Sequence, residues 1–230
     1  MTPFPRNPQV LRVVLLGIDG AGKTTAARSV LRKLREDGVE AELFRNPGGR
    51  RTLDRWASRH SHTAQTVLGI HLLDAVESFL RVLAVLRSTL QAQRRRGVVL
   101  FDRHLQCQLA LRRVRGLPAG KLLPWMLRVL PQPDLVVYLS VDPNTAQARI
   151  TSRNTDKETL EFLTALDASY RQLPGFGAYT VVDANGTATE IAEALSKHLE
   201  ARLLQPGSPS VAAALALQPL PVRERTQAGQ

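Results

Sequence analysis

Eight consecutive residues, Gly17-Ile18-Asp19-Gly20-Ala21-Gly22-Lys23-Thr24, carry the strongest chemical signal in the chain. They spell G-x-x-x-x-G-K-T, directly after the apolar run Val10–Leu16 and directly before a segment of helical period. Each residue type has a task in holding a polyphosphate. The glycines let the backbone bend until successive N–H groups point at one anion, and the following helix adds its positive N-terminal end. Lys23 neutralises β- and γ-phosphate oxygens, and the Thr24 hydroxyl is a ligand for Mg²⁺. Gly17, Ile18, Asp19, Gly20, Ala21, Gly22, Lys23, Thr24 and Thr25 therefore form the candidate ATP-binding set. Such a loop identifies the donor side and leaves the acceptor open, because GTPases, motor ATPases and small-molecule kinases all share it. The chain has no guanine-reading N-K-x-D, and an ATP-driven machine would usually need a longer one.

A second segment, Gly97-Val98-Val99-Leu100-Phe101-Asp102-Arg103-His104, ends a buried strand with an acid and a base. Ligands of a doubly wound sheet gather at the carboxyl ends of its strands. Asp102 is expected beside the phosphate loop, where a carboxylate can hold Mg²⁺ through water, with Arg103 pointing at an acceptor phosphate. An ordinary surface ion pair is the competing reading of Asp-Arg after a strand.

These residues need strands and helices to hold them, and the sequence has the alternation that builds a mainly parallel α/β sheet. Short Val/Leu-rich runs at 11–16, 41–44, 98–101, 135–139 and 180–182 suit strands buried on both faces. Helices are expected at about 23–36, 64–95, 122–130, 143–152, 157–172 and 187–204, the last opened by the capping box Thr187-Ala188-Thr189-Glu190. Beyond Gln205 the text turns to Pro, Gly, Ser and Ala, so the expectation is one domain over 1–204 and a loosely attached tail over 205–230.

Composition narrows the class. No run approaches the roughly 18 apolar residues of a membrane span, and Met1–Val10 has no signal-like apolar core. Cys107 is the only cysteine, which suits a reducing compartment, so a cytoplasmic protein with no membrane partner is expected. The net charge of +11 is spread over many segments, and Arg94-Arg95-Arg96 and Arg112-Arg113-Val114-Arg115 read as solvated helix ends. Nucleic acid is thus a weaker expectation than a small polyanion. His60, His62 and His71 lack metal spacing, and Trp56 and Trp125 read as packing residues.

Several landmarks together resemble the thymidylate kinase family. Gly17 to Thr25 resembles that family's G-x-D/E-G-A-G-K-T-T, Phe44-Arg45-Asn46-Pro47-Gly48-Gly49 its R-E-P-G-G segment, and Asp102-Arg103-His104 its D-R-Y/H. Pro133-Asp134-Leu135-Val136-Val137-Tyr138-Leu139-Ser140-Val141-Asp142-Pro143 is similar to P-D-L-x-x-Y-L-x-V-D-P, and Val182-Asp183-Ala184 to V-D-A. The resemblance implies a P-loop nucleoside monophosphate kinase with a five-stranded parallel sheet and a short lid between Arg149 and Glu161. It also implies ATP and Mg²⁺, dTMP as leading acceptor, and a homodimer. Arg45 and Arg103 would clamp the acceptor phosphate and Asp19 would reach its sugar hydroxyl. Asp102 with the lid arginines Arg149 and Arg153 would complete the catalytic set.

The departures keep other readings open. Asn46 stands where the family has glutamate, and Cys107-Gln108 and Arg112 stand where it often has a Ser pair and Gln. In the helix that carries the family's stacking Phe and its Arg, one register selects Arg81 with Glu77 at the aromatic position, and the other places Ala75 and His71 there. Lys157 is the candidate substitute for a missing lid arginine. Another acceptor (nucleotide, nucleoside or small metabolite), or a non-catalytic ATP-binding regulator, remains the alternative.

Overall fold

The computed structural model describes residues 10–46, 64–153 and 158–204. Pro47, Gly48, Gly49, Trp56, His60, His62, residues 154–157 of the expected lid and the 205–230 tail lie outside them. Five strands run in chain order: β1 Val10–Leu16, β2 Ala41–Arg45, β3 Gly97–Asp102, β4 Leu135–Ser140 and β5 Thr180–Asp183. Among them lie α1 Lys23–Glu36, α2 Ala64–Ala92, α3 Leu105–Val114, α4 Leu122–Val129, α5 Pro143–Ser152, α6 Leu160–Arg171 and α7 Ala188–Leu203, with a 3₁₀ turn at Phe176–Ala178. The sheet is parallel throughout, in the order β2-β3-β1-β4-β5.

β1 is the central strand of the sheet. All seven of its residues are buried, as a strand covered by helices on both faces requires. Arg12 is the exception in kind: its backbone N–H donates to Asp134 Oδ2 at 2.8 Å and its guanidinium to Gln93 Oε1 at 3.4 Å. The chain leaves β1 toward β2 on one side and leaves β4 toward β5 on the other. Their loops part over the carboxyl ends of β1 and β4, and the crevice so formed is where a parallel sheet takes its ligand.

Helix starts follow local chemistry. Asp142 accepts from the backbone N–H of Asn144 at 2.8 Å and of Thr145 at 3.3 Å, with Pro143 in the first turn of α5. The helix expected from Lys157 begins later, at Leu160, because the Thr159 hydroxyl accepts from the Phe162 N–H at 3.2 Å and caps it there. Thr187 and Glu190 form the expected capping box of α7.

α3 was absent from the sequence expectation. Its text, LQCQLALRRV, hides the apolar stripe because Gln106 and Gln108 are buried with Leu105, Cys107 and Ala110. Two packing expectations are corrected. Trp125 is 56% exposed on α4, since Leu123 and Met126 take that helix's inward face. Arg112 and Arg115 are not a solvated helix end, because both pair with buried carboxylates of α2.

Candidate active site

The loop after β1 has the backbone its glycines allow. Gly20 and Gly22 adopt φ of 83° and 82°, a region that side chains resist. At Gly20 a Cβ would also collide with the backbone of Ala146. Lys23 is buried, and its Nζ donates to the carbonyls of Gly17 at 2.8 Å and Ile18 at 2.7 Å. Asp19 Oδ1 lies 3.7 Å from the same ammonium. Burial lowers the Lys23 pKa, the Arg103 charge adds to this, and Asp19 and Asp102 oppose it.

Next to the loop, the Thr24 hydroxyl donates to Asp102 Oδ2 at 2.6 Å. Asp102 Oδ1 is buried and has no hydrogen-bond partner. An unpaired carboxylate oxygen and a hydroxyl held side by side, at the end of a strand, are a donor set that a hard divalent cation fits. Lys23, Thr24 and Asp102 thus lie together because β1 and β3 are neighbours, with Leu15 opposite Asp102.

Arg103 sits on the other flank. Its φ of 77° is the only positive value among described residues other than glycine, and such a backbone persists only where surroundings enforce it. Asn46 does so: it is fully buried, its Nδ2 donates to the Arg103 carbonyl at 2.8 Å and its backbone N–H to the Asp102 carbonyl at 3.1 Å. The twist carries the Arg103 side chain onto Asp19 in a close ion pair. Burial would raise the Asp19 pKa, but Arg103 and Lys23 outweigh it and hold the carboxyl well below its usual range.

Arg81 is buried, and one guanidinium nitrogen donates to the Asn46 carbonyl. Ala75 is exposed. Arg81 is thus the buried residue of the two candidates, and Glu77, also buried, is held by Arg115 at 2.6 Å. His104 is buried beside them, with Nδ1 2.8 Å from Gln106 Oε1. Burial pushes its pKa down to about 4, with Arg81 adding to the effect and the Gln106 bond opposing it.

Two expected residues stand apart. Arg45 ends β2 with its side chain exposed. Arg149 is engaged elsewhere: its guanidinium donates to the carbonyls of Ala184 and Asn185 at 2.7 Å and Gly186 at 2.6 Å. Three backbone acceptors hold it to the β5–α7 loop, whereas Arg153 is exposed at the C-cap of α5. Sequence reasoning singled out Gln108 and Arg112 as departures from the family pattern but missed that they join Asp74, Glu77 and Arg115 in one network. The signal available was the i, i+3 carboxylates of α2 against Arg112 and Arg115 at the end of α3.

A phosphate loop at the crevice of a parallel sheet, a hydroxyl–carboxylate pair for a cation and a cationic pocket beside it define a P-loop nucleotide kinase. The description "Thymidylate kinase" belongs to the family model that matches residues 16–195. Similar proteins include thymidylate kinase from Xanthomonas campestris pv. campestris, 32% identical over 80% of this chain and 81% of its own. A probable thymidylate kinase from Pyrobaculum calidifontis is 31% identical over 79% and 91%. Another, from Archaeoglobus fulgidus, is 26% identical over 83% and 95%. The chain belongs to the thymidylate kinase family, and so is a nucleoside monophosphate kinase, a phosphotransferase with ATP as donor.

Proposed function

We propose that this chain transfers the γ-phosphoryl of ATP to dTMP, giving dTDP and ADP. The observation that carries the reading is the Asn46-held Arg103, which sets a guanidinium across from Lys23 at the distance of one shared carboxylate, Asp19. Two anion-binding centres this close suit two phosphates brought end to end. The acceptor phosphate is already an oxyanion, so alignment and charge neutralisation do the catalysis and no strong base is needed.

Gly17 to Thr25 holds the donor phosphates through backbone N–H groups, and Lys23 leaves its loop carbonyls for β- and γ-oxygens. Thr24 and Asp102 would hold Mg²⁺, which when bound neutralises charge on the donor phosphates. Arg103 and Arg81 hold the acceptor phosphate, Arg45 extends that clamp from β2, and Asp19, released from Arg103, meets the sugar hydroxyl. Arg153 closes on the transferring group, and Arg149 keeps the β5–α7 loop in place.

A homodimer belongs to the same proposal. Leu72, Phe79, Leu83 and Leu90 of α2 are each more than half exposed. At about 100° per residue they fall within about 20° of one line along the helix, an apolar stripe suited to a second copy. The catalytic domain would end near Leu204. No described helix is long and apolar enough to cross a membrane. We place the enzyme in the cytoplasm, acting on small nucleotides and not on nucleic acid. The test is coupled ADP release with Mg-ATP against dTMP, dUMP, the other nucleoside monophosphates and the free nucleosides. Turnover of dTMP that Lys23→Ala abolishes is expected; turnover of none of them, with ATP still bound, would refute the reading.

A further inference from the structure

α1 and α7 lie side by side and run in the same direction, with Gly22 beside Ile191 at one end and Lys33 paired with Glu200 toward the other. At their C-terminal ends they leave a groove of about 290 Å³. Val30, Leu34 and Val39 line it from α1 and the turn that follows, and Leu199, Leu203 and Leu204 from α7 and its end. Lys33 and Glu200 also reach it, but they are spent on each other in an ion pair at 2.9 Å. What the groove offers a ligand is therefore mainly apolar contact. An apolar cavity of about 150 Å³ is enough to hold benzene, so this one has room for about two leucine-sized side chains.

The groove lies where the chain leaves the domain. Leu204, one of its lining residues, is 80% exposed and is the last described residue. After the six residues from Gln205 to Ser210 comes Val211-Ala212-Ala213-Ala214-Leu215-Ala216-Leu217, the longest uninterrupted apolar run in the chain. Burial against apolar side chains is favourable for such a run. The connection reaches, because six residues span up to about 20 Å, and Pro206-Gly207 is a dipeptide that favours chain reversal. A tether this short also presents the run to the groove at an effective concentration on the order of millimolar, so a weak contact suffices.

We propose that residues 211–217 dock in this groove, so that the chain's own tail clasps α1 to α7. Leu215 and Leu217 supply the two large side chains that fill it, and the alanines let the backbone come close. Both helices border the donor site: α1 opens at Lys23, and α7 follows the loop that Arg149 grips. The clasp acts at the far end of α1, about 20 Å from the phosphate loop. It holds the frame of the donor site without touching the nucleotide.

The experiment traps the docked tail as a disulfide in the full chain. Cys107→Ser removes the native thiol, and Asp37→Cys on the groove with Ala214→Cys in the tail supplies a new pair. The two can join only when their Cα atoms come within about 7 Å. Under mild oxidation the expected product is a bond within one chain. Adding Leu215→Asn and Leu217→Asn leaves the tether length and the charge unchanged, and should slow that bond at least about tenfold by removing the apolar contact. Both substitutions lie outside the described domain, so they leave its folding alone. Equal rates with and without them would overturn the proposal, because a tail that does not dock reaches the groove as often in either chain. Bonds between two chains in place of bonds within one would overturn it as well, by giving the groove to a second copy. Hydrogen exchange of the chains without the cysteines gives a second reading. Residues 196–204 should exchange faster once Leu215→Asn and Leu217→Asn are present, and unchanged exchange there would refute the clasp.

Discussion

His104 offers the most direct quantitative test of this packing. His104 is 5% exposed, stands at the N-cap position of α3 and lies edge-on to Phe101 with ring centroids 6.2 Å apart. Burial holds its pKa at about 4, against about 6.5 for an unfolded histidine. Between those values the unfolded chain binds a proton that the folded chain does not, so stability falls as pH drops from 6.5 toward 4. At 1.36 kcal/mol per pH unit the loss from this one group is about 2 kcal/mol between pH 7 and pH 5, approaching 3 kcal/mol at pH 4. Carboxylates also titrate there, so the quantity to measure is the difference between the parent and His104→Gln. Urea unfolding of both at pH 7 and pH 5 should show the parent losing about 2 kcal/mol more than the variant. Parallel losses in the two proteins would mean that His104 is protonated in the fold, and the argument from burial would fail. The consequence for function is that His104 adds no charge beside Arg81 at neutral pH.

Other outcomes test the site itself. Asp102→Asn leaves Thr24 a neutral partner and should lower kcat by about a hundredfold or more, the effect of losing one preorganised charge, with a steeper MgCl₂ requirement in the same titration. Arg103→Ala should raise the dTMP KM at least about tenfold while the ATP affinity measured by calorimetry stays; a defect confined to ATP would remove Arg103 from the acceptor clamp. If the exposed α2 stripe is a dimer seam as proposed, light scattering should report a dimer for the parent and a monomer for Phe79→Glu, which puts a charge in the middle of that stripe; the same mass for both would remove the stripe from any interface.

The inner strands were legible in the sequence because buried strands are written as Val/Leu-rich runs, as in β1, β3 and β4, whereas the edge strands β2 and β5 are only partly buried and carry a weaker version of that signal. The phosphate loop was legible for a similar reason: Gly17 to Thr24 is contiguous, so its chemistry needs no distant partner. α3 was not, because burial of Gln106 and Gln108 breaks the apolar period that reveals a helix. Asn46 looked like the loss of a glutamate, yet in the fold its amide anchors the left-handed backbone of Arg103, 57 residues away. Arg81 or Ala75 could not be chosen by counting, and only the packing of α2 buries Arg81 and exposes Ala75. The pairing of Asp74 and Glu77 with Arg112 and Arg115 lies furthest from what a sequence determines alone. Charges on two helices look solvated until the sheet order brings the helices together, and only then does burial turn four surface-type residues into a fixed network.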